Sequence, residues 1–154
     1  MVIINYTKLD TSKLRELFIK TKGSVKSTKL LVMIRKGTGY RGMAYNCAWY
    51  KDSGKRIYCN NAIDLWITDK NTPFVLYMRT KNGLKKYTCF DSYCLATLIF
   101  LHEVGHIKDY QKDKSSKYRQ RHCDEYAIQR AKKFGLAWET DKLLPVVVNQ
   151  NKSI

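Results

Sequence analysis

A chain of 154 residues falls within the ordinary size of one domain, and with 44% apolar and 12% aromatic residues it holds enough hydrophobic material for a core. No stretch approaches the roughly 18–20 apolar residues that a membrane span needs, and the N-terminus lacks the basic-then-apolar pattern of a secretory signal. A soluble cytoplasmic protein with no membrane partner is therefore expected. Twenty-nine Lys and Arg against thirteen Asp and Glu leave a net charge of +16, which favours polyanions and makes nucleic acid a candidate partner through the basic surface. Five cysteines (Cys47, Cys59, Cys89, Cys94 and Cys123) are odd in number, and none stands in a C-x-x-C pair. Reduced, mostly buried thiols fit that pattern better than a disulfide framework or a thiolate zinc knuckle.

Residues 12–22 read as a helix, with Asp10 to Ser12 as cap candidates and Gly23 as a stop. Leu14, Leu17 and Phe18 fall at i, i+3 and i+4, so one face is buried. A β-rich region follows. Residues 30–34 form a short apolar run, and Gly37, Gly39 and Gly42 then punctuate a turn that lacks the spacing of a phosphate loop. Residues 43–50 and 56–60 flank Asp52-Ser53-Gly54, and residues 74–80 and 84–90 flank Asn82-Gly83. Both are hairpin signals. Residues 62–68 suit strand or helix. From Ser92, with Asp91 or Ser92 as cap, a long helix is expected to about Tyr110. A polar connector over 111–121 leads to a second helix over 123–134, ended by Gly135. Pro145 and the valines at 146–148 form a tail with no assignment. Strands first and a helix pair afterwards predict one α+β domain over 1–154, with an N-terminal helix, a small, mainly antiparallel sheet and two packed helices.

Inside the long helix stands His102-Glu103-Val104-Gly105-His106. Side chains at i and i+4 lie one above the other on a helix, so both imidazoles can reach one Zn2+ ion, while Glu103 can take a proton from a metal-bound water. Zinc lowers the pKa of that water from roughly 15.7 to about 7, which supplies a nucleophile at neutral pH. The motif takes two of the three His in the chain, and the apolar run 95–101 marks its helix as a core element. A catalytic zinc usually has three protein ligands. His122, Asp124 and Glu125 are the candidates for the third. At about 100° per residue Asp124 shares a face with Ala127, Ile128, Ala131 and Phe134, whereas Glu125 groups with Gln129, Lys132 and Lys133. The pattern favours Asp124, which also suits plain helix capping, and it leaves Glu125 and His122 open. Tyr110, Tyr118 and Tyr126 are the nearest rings in sequence that could steady an oxyanion, and nothing selects among them.

The same motif, followed 18 positions later by Asp124 with Ala127 and Ala131 behind it, resembles the minimal gluzincin-type zinc metallopeptidases. The ImmA/IrrE-like group is the most similar, with a second motif of the form E-x-x-A-D-x-x-A. The resemblance spans about residues 92–135. It implies a zincin-like fold, Zn2+ held by His102, His106 and Asp124, Glu103 as general base, and a protein or peptide substrate lying along a sheet edge. Two positions depart from that pattern: Asp124 stands where the group carries Glu, and Ile128 where it carries a second acid. SprT-like proteases, which act on proteins attached to DNA, share the order of elements and use a third His. Resemblance to them would make His122 the ligand and suits the +16 charge. The expected function is a zinc-dependent metallopeptidase. The contrasting expectation, carried by the charge, is a nucleic-acid-binding protein whose zinc site is structural or vestigial.

Overall fold

The computed structural model describes residues 1–26, 28–46, 48–108 and 115–140. Among them are three helices and three sheets in a mixed α/β arrangement. In chain order they are β1 (Val2–Asn5), α1 (Thr11–Thr21), β2 (Leu30–Lys36), β3 (Tyr40–Tyr45), β4 (Ala48–Asp52), β5 (Lys55–Cys59), β6 (Asn61–Ile67), β7 (Phe74–Thr80), β8 (Gly83–Cys89), α2 (Ser92–Lys108), α3 (Ser116–Lys133) and β9 (Ala137–Glu139). Cys47, residues 109–114 of the expected connector with Tyr110, and the tail with Pro145 lie outside the described residues.

The main sheet runs β1-β2-β6-β3. β1 pairs with β2, and β2 with β6, in parallel, while β3 pairs antiparallel with β6 and has no partner on its other edge among the described residues. The expected mainly antiparallel sheet is thus corrected to a mixed one. A parallel pair needs a crossover, and α1 supplies it between β1 and β2. β1 itself is too short to show a period in the sequence. The ambiguous stretch 62–68 is the interior strand β6, with Ile63, Leu65 and Ile67 fully buried at every second position. The expected strand 43–50 divides into β3 and β4, and Tyr40 to Gly42 join β3 rather than a turn.

Antiparallel pairing belongs to the hairpin β4–β5 and to the three-stranded sheet β7-β8-β9. Asp52 pairs with Lys55 across Ser53-Gly54, whose φ values of 51° and 80° match the left-handed residues of a two-residue hairpin turn.

α2 is the central element. Twelve of its 17 residues are buried, so it carries no amphipathic stripe, and it packs against the sheet, α1 and α3 together. Asp10 caps α1 by accepting from the Ser12 and Lys13 amides at 2.8 and 3.2 Å, and Phe18 of α1 stacks on Phe100 of α2 at 4.2 Å. Each such buried ring contributes about 1.5–3 kcal/mol. α3 begins seven residues before the expected 123, at Ser116, with Ser115 accepting from the Tyr118 amide. Its first turns are polar and hide the apolar period, yet Lys, Arg and Gln propagate a helix well. No helix among the described residues is long and apolar enough to cross a membrane.

Candidate metal centre

The last turns of α2 carry His102, Glu103 and His106, and the i, i+4 spacing brings the two imidazoles together. Their Nε2 atoms lie 3.2 Å apart. Two imidazole nitrogens bound to one tetrahedral zinc at about 2.0–2.1 Å are separated by about 3.3 Å, so the pair is spaced for a single ion. The third group at this point is Gln120, on the first turns of α3. Its Oε1 is 2.8 Å from His102 Nε2. Among the described residues no three His, Cys, Asp or Glu side chains converge in a metal-holding group. The two imidazole nitrogens are donors of the kind zinc takes, while the neutral amide oxygen beside them is a weaker, harder donor.

Asp124, expected as the third ligand, sits on the other side of the His102 ring. Its Oδ1 accepts from His102 Nδ1 at 2.6 Å, and its Oδ2 accepts from the Arg79 amide at 2.8 Å and from Arg79 Nη1 at 3.1 Å. A carboxylate behind an imidazole fixes the ring's orientation, places the proton on Nδ1 and leaves Nε2 for an ion. Arg79 belongs to β7, so this buried carboxylate ties α2, α3 and the second sheet together. Glu125 forms an ion pair with Arg121 at 3.7 Å, His122 stacks on Tyr118, and neither lines the cleft.

The electrostatics follow from this packing. Burial by itself would pull His102 down, but the bond to Asp124 and the charges of Asp124 and Glu103 outweigh it and hold the imidazole above its ordinary value. Burial, with the adjacent His102 ring, pushes His106 below its ordinary value. Burial pushes the Glu103 carboxyl up to about 7; His102 opposes the rise and Asp124 adds to it. A base with a pKa near the working pH transfers protons most effectively.

A cleft of about 440 Å³ opens above these groups. α2 forms its floor, β3 one wall, and Tyr77 to Arg79 of β7 the other. β3 and β7 are both edge strands of their sheets. Gly42 marks where β3 crosses the site. A Cβ there would lie 2.7 Å from Glu103 Oε1 and 2.9 Å from both Glu103 Cγ and Ile99 Cγ2, so only glycine fits. Gly105 lets the helices approach closely, and an added Cβ there would lie 3.2 Å from Cys123 Sγ, so α3 would have to give way slightly. Cys59, Cys89, Cys94 and Cys123 are buried, and no disulfide joins any of them among the described residues.

The structure brings His102, Glu103, His106 and Asp124 together. Gln120, Arg79, Gly42 and the rim rings Tyr40, Tyr45 and Tyr77 were not expected from the sequence. Of the rings that were, Tyr126 instead hydrogen-bonds the Lys22 carbonyl behind α3. Gln120 alone had a readable signal, since it stands one helical turn before Asp124 once α3 is extended back to Ser116. Comparison with protein-family models, with proteins of assigned function and with solved structures gave no match. The functional reading therefore rests on this geometry.

Proposed function

We propose that the protein is a zinc-dependent peptidase of zincin-like arrangement. The observation that carries this reading is the grouping of His102 Nε2, His106 Nε2 and Gln120 Oε1 beside a buried Glu103, beneath a strand edge with no partner among the described residues. When bound, zinc supplies an acidic water and polarises a carbonyl. Glu103, buried beside these donors, would hold a proton and pass it to a leaving amine as general base and acid. Asp124, itself held by Arg79, keeps His102 oriented. The unpaired edge of β3 offers main-chain hydrogen bonds to an extended peptide and would lay it across Glu103 at Gly42.

Glu103→Gln keeps the shape and the metal donors but removes the base. Zinc content is expected to stay at one per chain by native mass spectrometry, while cleavage of an unstructured protein falls by about 100-fold or more. Cleavage at the wild-type rate by that variant would sink the mechanism. The neutral amide of Gln120, where a carboxylate would bind the ion more tightly, favours one second reading: a nucleic-acid-binding protein whose metal site does no chemistry. That reading predicts zinc-loaded wild-type protein as inactive as Glu103→Gln.

A further inference from the structure

The face of the main sheet turned away from α2 carries a row of side chains that the proposed peptidase chemistry does not use. The ladder pairs Arg35 with Trp66 and Trp66 with Arg41, which puts the three on one face. Their neighbours point the other way: Ile34 and Leu65 are fully buried, and Gly42 abuts Glu103. Tyr6 extends the row past β1, with its amide bonded to the Ile34 carbonyl. Arg35 lies over the Tyr6 ring at 5.6 Å and over Trp66 at 5.9 Å, and Arg41 lies over Trp66 at 4.3 Å. Arg35 Nε is buried with no hydrogen-bond partner among the described residues. The acid on this face is Asp64, half-buried in the next row between Met33 and Met43.

The hairpin β4–β5 covers the far end of the same face, where Ala48 and Tyr50 pack with Leu31, Cys59 and Ala62. Its outward side repeats the chemistry of the row. Trp49 meets Tyr58 edge-on at 5.1 Å, and Arg56 lies over Trp49 at 4.5 Å. Tyr6 is 61% exposed and Trp49 53%.

We propose that this face binds single-stranded nucleic acid, with bases stacking on Tyr6 and Trp49 and phosphates meeting Arg35, Arg41 and Arg56. A chain of charge +16 calls for a polyanion, and guanidiniums held over rings are aligned for phosphates. The exposed rings select among polyanions. An unpaired base presents a π face to stack on, whereas a duplex or an anionic lipid surface presents charge alone. The site lies on the opposite face from the metal centre and stands whether or not the peptidase reading holds.

The test uses the whole chain with fluorescein-labelled oligothymidylate and oligouridylate of equal length, a duplex of that length, and heparin, each titrated at several salt concentrations. Expected are tighter binding of a single strand than of duplex or heparin, an affinity that falls steeply with salt, and quenching of tryptophan emission in a Trp138→Phe background, where Trp49 and Trp66 remain. The tighter of the two single strands identifies DNA or RNA. Tyr6→Ala and Trp49→Ala should each weaken binding by about tenfold. Arg41→Glu should do the same and flatten the salt slope by about 0.7. Circular dichroism confirms the fold of each variant, and Lys133→Glu on α3 serves as the remote charge control. Equal affinity for single strand, duplex and heparin, or loss of binding in Lys133→Glu with none in the three sheet-face variants, would overturn the proposal. So would the absence of single-strand binding at low salt.

Discussion

Asp124→Asn tests the centre most sharply, because the carboxylate has two acceptor oxygens and both face donors. Oδ1 meets His102 Nδ1 at 2.6 Å, while Oδ2 meets the Arg79 amide and Nη1. An asparagine of the same shape has one acceptor and one donor end, so one contact turns from attraction to repulsion whichever way the amide faces. With its amide nitrogen toward Arg79, it confronts two donors in a buried setting. Turned toward His102, it forces the imidazole proton onto Nε2, the nitrogen that a metal requires bare. A hydrogen bond to a charged group contributes about 1.5–3 kcal/mol, so breaking one side and weakening the other costs about 2–4 kcal/mol. For a chain of this size each kcal/mol moves Tm by about 2–4 °C, which predicts a fall of about 5–15 °C in chelator by scanning calorimetry. Zinc affinity measured by titration calorimetry should drop about 10–100-fold, the usual effect of losing a residue that orients a ligand. An Asp124→Asn protein that folds and binds zinc as tightly as wild type would refute the orienting role. Undiminished affinity in Gln120→Ala, with affinity abolished in Asp124→Ala, would show that Asp124 is itself the third ligand.

Gln120→Glu replaces the neutral donor with a carboxylate, and chelator competition should show zinc bound at least about tenfold more tightly. Gly42→Ala forces a methyl against Glu103 and Ile99, and denaturant unfolding should register a loss of about 1–3 kcal/mol. Gly39→Ala, with nothing within 4 Å of the added carbon, is the control and should change stability by less than about 0.5 kcal/mol. A hydrogen bond from the Lys8 amide holds the Asp69 carboxyl below its ordinary range against the opposing effect of burial, with Lys36 assisting. A lowered folded pKa gives stability that is present above the unfolded value of about 3.9 and is lost as pH falls through the folded one. Asp69→Asn should therefore flatten the acid limb of the stability profile below about pH 4, as followed by circular dichroism. An unchanged limb would rule Asp69 out of the acid transition.

What the sequence determined by itself is what local geometry controls. The i, i+4 period pairs His102 with His106 whatever surrounds the helix. Ser53-Gly54 turns a hairpin through its own φ values, and Asp10 caps α1 from two residues away. The expected face of α3 is present as well, with Ala127 and Ala131 buried beside Asp124. The parallel pairing of β1 with β2 and β6 joins distant segments and leaves no periodic trace in any one strand. The walls of the cleft are equally non-local, since β3 and β7 belong to different sheets and are brought together over α2. The division of labour between Gln120 and Asp124 was likewise decided by tertiary structure. Helical periodicity places both on one face but does not say how far α3 slides along α2. The four residues from Gln120 to Asp124 span a rise of about 6 Å, enough to exchange the group behind the His102 ring for the group at its Nε2. Close packing of Cys123 on Gly105 sets that slide, and it seats the amide at His102 Nε2 and the carboxylate behind the ring.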